Sequence, residues 1–157
     1  MDHSWFILLP LLLTTILLSA FFSGSEVALF SFDNKKLKEL QKNHRIVAVY
    51  VKLLLENPKR LLVTILLGNT IVNVSASIIS VMIALRISNE FKIPAELAVI
   101  SQIIALTIII LLIGEVTPKL WANRYPIQFV KIIAVPLYWV GIIFYPISKV
   151  LTDTLGF

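Results

Sequence analysis

The groups best able to do chemistry in this sequence are small polar side chains that stand inside long apolar stretches. They form three blocks, SGSE at 23–26, GNTIVNVSAS at 68–77 and GEVTPK at 114–119. Hydroxyl, amide, carboxylate and carbonyl oxygens are the ligands that hard cations prefer. Because such groups are costly to bury at membrane depth, they usually line a bundle interior or an ion path. The pattern indicates an oxygen-ligated cation site, although spacing alone does not distinguish Mg²⁺ from Na⁺ or Ca²⁺.

The first block combines the hydroxyls of Ser23 and Ser25 with a flexible glycine and the carboxylate of Glu26. We expect the helix to unwind there and turn carbonyls toward a cation, as the broken helices of transporters do. The alternative is an ordinary helix contact made by small residues, with Glu26 at the membrane interface. The sequence leaves both interpretations open.

The second block places two amides, Asn69 and Asn73, four residues apart and therefore on one helix face, which Ser77 extends. Two side-chain carbonyl oxygens on one stripe suit a hard cation. The alternative is hydrogen bonding between helices, or dimer packing around residues 75–77.

The third block contains Pro118, which has no N–H to donate to the carbonyl of Gly114, four residues earlier. We predict that this carbonyl and the neighbouring carboxylate of Glu115 serve a cation. The alternative pairs Glu115 with Lys119 one helical turn later.

The elements that hold these blocks are predicted to be membrane-spanning helices. The chain has 157 residues, 58% of them apolar and 15% charged, with a mean hydropathy of +0.91. Four charge-free stretches, 4–25, 61–85, 97–114 and 132–148, are long enough to be candidate spans. We predict an all-α membrane protein with three transmembrane helices, at about 4–30, 59–86 and 95–121.

Composition also excludes several functions. The chain has no cysteine and two histidines, which argues against a disulfide framework, a thiol nucleophile and a zinc or copper site. Nothing resembles a paired nucleophile and base, so we do not expect an enzyme. In so apolar a chain, a net charge of +5 reflects membrane topology and contact with anionic lipids rather than nucleic-acid binding.

Basic residues predict the orientation. Residues 33–60 carry eight Lys and Arg, against two in residues 86–96, so the basic segment should be cytoplasmic and the N-terminus outside. Residues 33–56 are amphipathic and predict two basic juxtamembrane helices, with Asp33 capping the first and a break at Asn43-His44. The first apolar stretch lacks a basic start and exceeds a signal core, so we expect it to be retained.

The fourth apolar stretch fits a straight crossing poorly. It is interrupted by Pro136, Gly141 and Pro146, and a crossing would place Lys149 outside. We predict a Pro-broken helical hairpin over about 126–151 that stays near the cytoplasmic face, with a C-terminus in the cytoplasm. The alternative is an ordinary kinked fourth span.

Three sequence blocks resemble the transmembrane domain of the CorC/CNNM family of magnesium transporters: FFSGSEVALFS at 21–31, NPKRLLVTILLGNTIVN at 57–73 and GEVTPKLWANRYP at 114–126. They occur in the family's order, and the likeness runs from about residue 4 to the C-terminus. The resemblance implies a homodimer in the cell membrane, with three spans per subunit. It also implies Mg²⁺ transport, as export driven by inward Na⁺ through alternating access.

The resemblance further implies a ligand set. Carried over by position, the cation site consists of Ser23 and Ser25 on the first span, Asn69 and Asn73 on the second, and Gly114 and Glu115 on the third. Ser23, Asn69, Asn73 and Glu115 are the expected direct ligands, and Gly114 would act through its carbonyl. The role of Glu26 stays open.

Family members normally continue into cytoplasmic CBS modules, which this chain lacks. We therefore expect it to be part of a longer protein, with residues 151–157 beginning a linker. A different function is also compatible with the sequence: a membrane scaffold that controls a partner transporter without moving ions. In that case Asn69 and Asn73 should be dispersed rather than facing Glu115.

Overall fold

The computed structural model describes residues 5–154, and all regular structure in that range is helical. The predicted all-α fold is therefore confirmed for this part of the chain. Residue 4, where the first span was expected to begin, lies outside it. The helices are α1 Trp5–Phe30, α2 Asn34–Asn43, α3 Arg45–Leu55, α4 Pro58–Phe91, α5 Ala95–Ile109, α6 Thr117–Arg124, α7 Pro126–Ile143 and α8 Tyr145–Thr154. A π-helical segment, Ile110–Val116, joins α5 to α6, so that Ala95–Arg124 forms one continuous helix.

Four of these helical stretches are long and apolar enough to cross a membrane: Phe6–Phe30, Pro58–Phe91, Ala95–Arg124 and Pro126–Ile143. The first three correspond to the predicted spans. The fourth is α7, which has 18 residues and belongs to the stretch predicted to stay at one face. Length and composition therefore allow a fourth crossing, and the three-span topology stays a prediction.

Helix α1 lies at the centre of the bundle and contacts α4, the π-helical segment, α6 and α7. Glycines allow α1 to pack most closely against its neighbouring helices. A Cβ on Gly68 would overlap the ring of Phe22, and a Cβ on Gly24 would overlap the ring of Phe129. Leu8 packs with Ile79 in a second apolar cluster near the other end of α1. Helices α1 and α4 therefore run antiparallel along most of their length.

The expected unwinding at Ser23 to Glu26 is wrong, because α1 continues as a helix through Phe30. The hydroxyl of Ser25 donates to the carbonyl of Phe21 at 2.5 Å, a bond within the helix. Gly24 serves close packing against Phe129 rather than a break in the helix. A helix keeps its backbone hydrogen bonds satisfied internally, which an apolar environment strongly favours.

Helices α2 and α3 meet at His44, beside the predicted break. The side chain of Asp33 accepts from the backbone N–H of Lys36 at 2.7 Å and caps α2. This hydrogen bond holds the pKa of the Asp33 carboxyl below its ordinary value. Helix α3 packs against α7, where the rings of Tyr50 and Tyr138 meet edge to face at 5.2 Å.

The C-terminal segment is broken at one point. Helix α7 runs through Pro136 without interruption, and the chain breaks at Phe144 before α8 begins. Pro146 lies in the first turn of α8, where a missing N–H costs least. Of the expected linker start at 151–157, residues 151–154 belong to α8 and residues 155–157 lie outside the described range.

Candidate cation site

Two of the predicted polar blocks, 68–77 and 114–119, meet at a residue that lies outside all three blocks, Ser19. Its side chain is 1% exposed, and its hydroxyl donates to Oδ1 of Asn69 at 3.2 Å. A Cβ built on Gly114 would lie 3.0 Å from the same hydroxyl. Polar groups from α1, α4 and the π-helical segment therefore converge at one level of the bundle.

Asn73 lies one turn from Asn69 on the same face of α4. Its Oδ1 is buried and has no hydrogen-bond partner. An unsatisfied buried acceptor costs about 1–3 kcal/mol. The two amides thus differ, because the oxygen of Asn69 accepts from Ser19 while the oxygen of Asn73 is available to a ligand.

Gly114 and Glu115 both lie inside the π-helical segment Ile110–Val116. The N–H of Thr117 donates to the carbonyl of Leu112, five residues earlier. The next residue, Pro118, has no N–H for the carbonyl of Gly114, as the sequence predicts. Short π-helical segments occur frequently at functional sites.

Ser23 and Ser25 lie on different faces of α1, since residues two apart on a helix do not face each other. Ser23, which is 2% exposed, follows Ser19 by four residues and shares its face. Ser25 is fully buried and donates to Phe21 within its own helix. The structure therefore places Ser23, rather than Ser25, on the face of α1 that carries Ser19.

The alternative ion pair between Glu115 and Lys119 is not formed. Instead, Nζ of Lys119 lies 3.7 Å from Oε2 of Glu26, which joins α6 to the C-terminal part of α1. Within residues 5–154, no basic side chain lies within 4.0 Å of the Glu115 carboxylate. Of the two carboxylates in the polar blocks, Glu26 has a cation partner and Glu115 does not.

A signal for Ser19 is present in the sequence. Thr15, Ser19 and Ser23 recur every four residues and are all buried, which marks a polar stripe along α1. Local clustering of polar residues, which defines the first block, begins only at Ser23. Helical spacing extended toward the N-terminus would have included Ser19.

The donors around Ser19 fit a hard cation by their chemistry. They are hydroxyl and amide oxygens, and the neighbouring Gly114 and Glu115 carry carbonyl and carboxylate oxygens of the class of ligands taken by Mg²⁺, Ca²⁺ and Na⁺. In the part of the chain that the structure describes, no three His, Asp or Glu side chains form a metal-binding group. A cation at this site would therefore depend on neutral oxygen donors with one carboxylate.

Comparison with known proteins identifies the domain. Residues 10–157 match the family model of the cyclin M transmembrane N-terminal domain, abbreviated CNNM. A chloroplastic DUF21 domain-containing protein of Arabidopsis thaliana is 33% identical over 135 residues, covering 86% of this chain and 20% of the plant protein. The UPF0053 inner membrane protein YfjD of Escherichia coli is 30% identical over 132 residues, which is 78% of this chain and 29% of that protein.

A UPF0053 protein of Haemophilus influenzae is 36% identical over 109 residues, which is 69% of this chain and 24% of the relative. The chain thus spans a fifth to about three tenths of the length of these relatives. The predicted family is confirmed. Its members are membrane proteins of the transporter type, which agrees with the prediction that the chain is not an enzyme. The match over residues 10–157 establishes that this chain belongs to the CNNM family, in which it corresponds to the transmembrane N-terminal domain.

Proposed function

We propose that this chain forms the membrane part of a Mg²⁺ transporter, which exports Mg²⁺ by alternating access in a homodimer and uses inward Na⁺ as the coupling ion. The observation that carries the proposal is the contact of Asn69 and Gly114 with the single buried residue Ser19. Residues of α1, α4 and the π-helical segment meet there. Membership of the CNNM family supports the assignment of a divalent cation as the transported substrate.

The proposed ligands are Ser23, Asn69, Asn73 and Glu115, with Gly114 acting through its carbonyl. The unpartnered Oδ1 of Asn73 supports this set, because a cation would satisfy an oxygen that the helices leave without a hydrogen bond. Glu115 supplies the only full negative charge. Ser25 would belong to the same polar turn of α1, where its hydroxyl bonds within the helix. Ser19 would position Asn69 through their hydrogen bond.

Mg²⁺ prefers six oxygens in octahedral geometry and gives up its water reluctantly. Five protein donors on three helices would leave room for retained water. Because the donors belong to separate helices, a small shift of α1 against α4 and the π-helical segment would change the coordination number. Such a difference in affinity between two conformations is what alternating access requires.

The proposed topology has three spans, an N-terminus outside and a cytoplasmic C-terminus. Helix α7 would lie at the cytoplasmic face, because both of its ends contact the basic segment 33–60. Near its start, Nζ of Lys131 lies 3.5 Å from Nε2 of His44. Just after its end, the guanidinium of Arg60 lies 4.9 Å from the ring centre of Tyr145. If the basic segment lies along the cytoplasmic face, a helix that meets this segment near both of its ends lies along the same face.

The function is tested by Mg²⁺ flux in proteoliposomes made from the purified chain, with and without a Na⁺ gradient. We expect gradient-dependent flux in the parent. In Asn73→Ala, which removes the available oxygen, flux should fall at least tenfold. A tenfold change corresponds to about 1.4 kcal/mol of lost interaction free energy. Thr70→Ala is the matched control, because Thr70 is exposed and its hydroxyl bonds within α4. Equal flux in the two variants would contradict the proposed site. Absence of both flux and calorimetric Mg²⁺ binding in the parent would favour the scaffold function.

A further inference from the structure

A second polar cavity lies away from the cation site, where the junction of α2 and α3 faces the junction of α6 and α7. Its volume is about 500 Å³. The charged side chains that line it are Lys36, Arg124 and Lys131, with Glu39 as the one carboxylate, and His44 lies among them. With His44 neutral, the lining has an excess of positive charge.

The cations of this cavity are not neutralised by carboxylates. Over residues 5–154, no carboxylate oxygen lies within 4.0 Å of the charged groups of Lys36, Arg124 or Lys131. Nζ of Lys36 donates to the carbonyl of Ser31 at 2.7 Å, Nζ of Lys131 lies 3.5 Å from His44, and the Arg124 guanidinium lies over the ring of Tyr125. These are contacts with neutral groups. Three cations with one carboxylate in the lining leave an excess of positive charge, which favours an anionic ligand.

The backbone adds to this preference. His44 and Tyr125 line the cavity and immediately precede α3 and α7, and neither side chain caps its helix. Ile127 and Gln128, in the first turn of α7, also line it. The first N–H groups of a helix lack partners within the helix and carry partial positive charge. An anion with several oxygens, such as a phosphate, matches both the side chains and these helix starts.

An apolar groove lies along the helices on either side of the same α6–α7 junction, and its Trp121 and Ile132 stand three residues before Arg124 and one residue after Lys131 of the cavity lining. It has a volume of about 290 Å³ and is lined by apolar side chains of α1, α6 and α7, including Trp121, Phe129 and Ile132. Trp121 and Ile132 are 44% and 60% exposed, so the groove opens on the outer surface of the bundle. In a membrane protein this surface meets acyl chains. A ligand that joins a phosphate to a hydrocarbon chain would use both features.

We propose that the cavity binds the headgroup phosphate of an anionic phospholipid, with Arg124 and Lys131 as its main contacts and an acyl chain in the groove beside Trp121 and Ile132. Basic pockets between membrane helices at a cytoplasmic face bind anionic headgroups in this manner. The bound lipid would bridge the α2–α3 junction to the α6–α7 junction. These are the two places where the chain turns at the basic end of the bundle.

The test is native mass spectrometry of the detergent-solubilised chain, titrated with dioleoylphosphatidylglycerol and separately with dioleoylphosphatidylcholine. We expect preferential retention of phosphatidylglycerol by the parent. Replacement of both Arg124→Gln and Lys131→Gln should weaken it about tenfold or more, since each basic residue contributes to anionic-lipid affinity. The matched control combines Lys38→Gln with Lys52→Gln. It removes equal charge from exposed residues of α2 and α3 outside the cavity and should retain the parent affinity.

Circular dichroism checks that the variants are folded, and Arg124→Gln alone and Lys131→Gln alone should each give part of the loss. Equal loss in the two double variants would overturn the proposal, because it would show attraction to net charge rather than a site. Equal retention of phosphatidylcholine would also overturn it. If glycerol 3-phosphate displaced phosphatidylglycerol at equal concentration, the ligand would be a soluble phosphate and the lipid assignment would be wrong.

Discussion

At the residue scale, the function of a polar group in this bundle depends on whether another side chain already satisfies it. Asn69 and Asn73 are the same residue type on successive turns, yet only Asn69 accepts a hydrogen bond from Ser19. The same contrast separates the carboxylates. Glu26 pairs with Lys119, whereas Glu115 has no basic side chain within 4.0 Å in the described range. The groups without partners are those available to a cation.

This contrast predicts unequal effects of the same chemical change at two sites. Glu115→Gln should weaken Mg²⁺ binding about tenfold or more, since a carboxylate is the strongest oxygen donor for a hard cation, and tenfold corresponds to about 1.4 kcal/mol. Glu26→Gln removes the same charge from a residue already paired with Lys119 and should change affinity much less. Calorimetric titration of the parent and both variants measures the difference. A greater loss in Glu26→Gln would show that the roles of the two carboxylates are reversed.

At the element scale, the bundle depends on close contact between glycines on one helix and aromatic rings on the next. The ring of Phe129 in α7 lies directly over Gly24 in α1 and also meets Trp121 of α6 edge to face at 5.2 Å. Phe129 is buried, so it has little space to move. This contact fixes the start of α7 against the middle of the polar block on α1. It thereby connects the C-terminal segment to the candidate cation site.

Gly24→Ala should destabilise the domain, because the added methyl group would overlap the Phe129 ring. Overpacking of this kind costs about 1–3 kcal/mol, and we expect a lower melting temperature in detergent. Gly141→Ala is the matched control, since a Cβ there meets no heavy atom within 4 Å. Alanine also favours the helix by up to about 1 kcal/mol over glycine, so this variant should melt at or above the parent temperature. Equal destabilisation by the two variants would mean that the Gly24 contact has no special importance.

At the scale of the whole molecule, local features were predictable from the sequence and relative helix positions were not. Length and hydropathy identified the long helices, and Asp33 before α2 indicated where that helix begins. Three other features depend on how neighbouring helices rotate against one another. They are the π-helical turn, the pairing of Lys119 with Glu26 and the central place of Ser19. Those rotations are set by packing across the bundle, such as the contact of the Phe22 ring with Gly68. The pattern of residue types along the sequence does not specify such contacts.

The number of crossings is likewise a property of the whole molecule, and the absence of cysteine makes it directly testable. Single replacements Lys35→Cys, Lys92→Cys and Lys149→Cys place thiols at exposed positions between the first and second candidate spans, between the second and third, and after the fourth. Because Lys131 lies near His44 and Tyr145 lies near Arg60, both ends of α7 contact the basic segment.

We therefore expect a membrane-impermeant maleimide to label positions 35 and 149 from the same side of sealed vesicles, and position 92 from the other. Detergent permeabilisation, which should allow labelling of all three, is the control for thiol reactivity. Labelling of position 149 from the side of position 92 would establish α7 as a fourth span. It would then place the C-terminus on the side opposite to the basic helices.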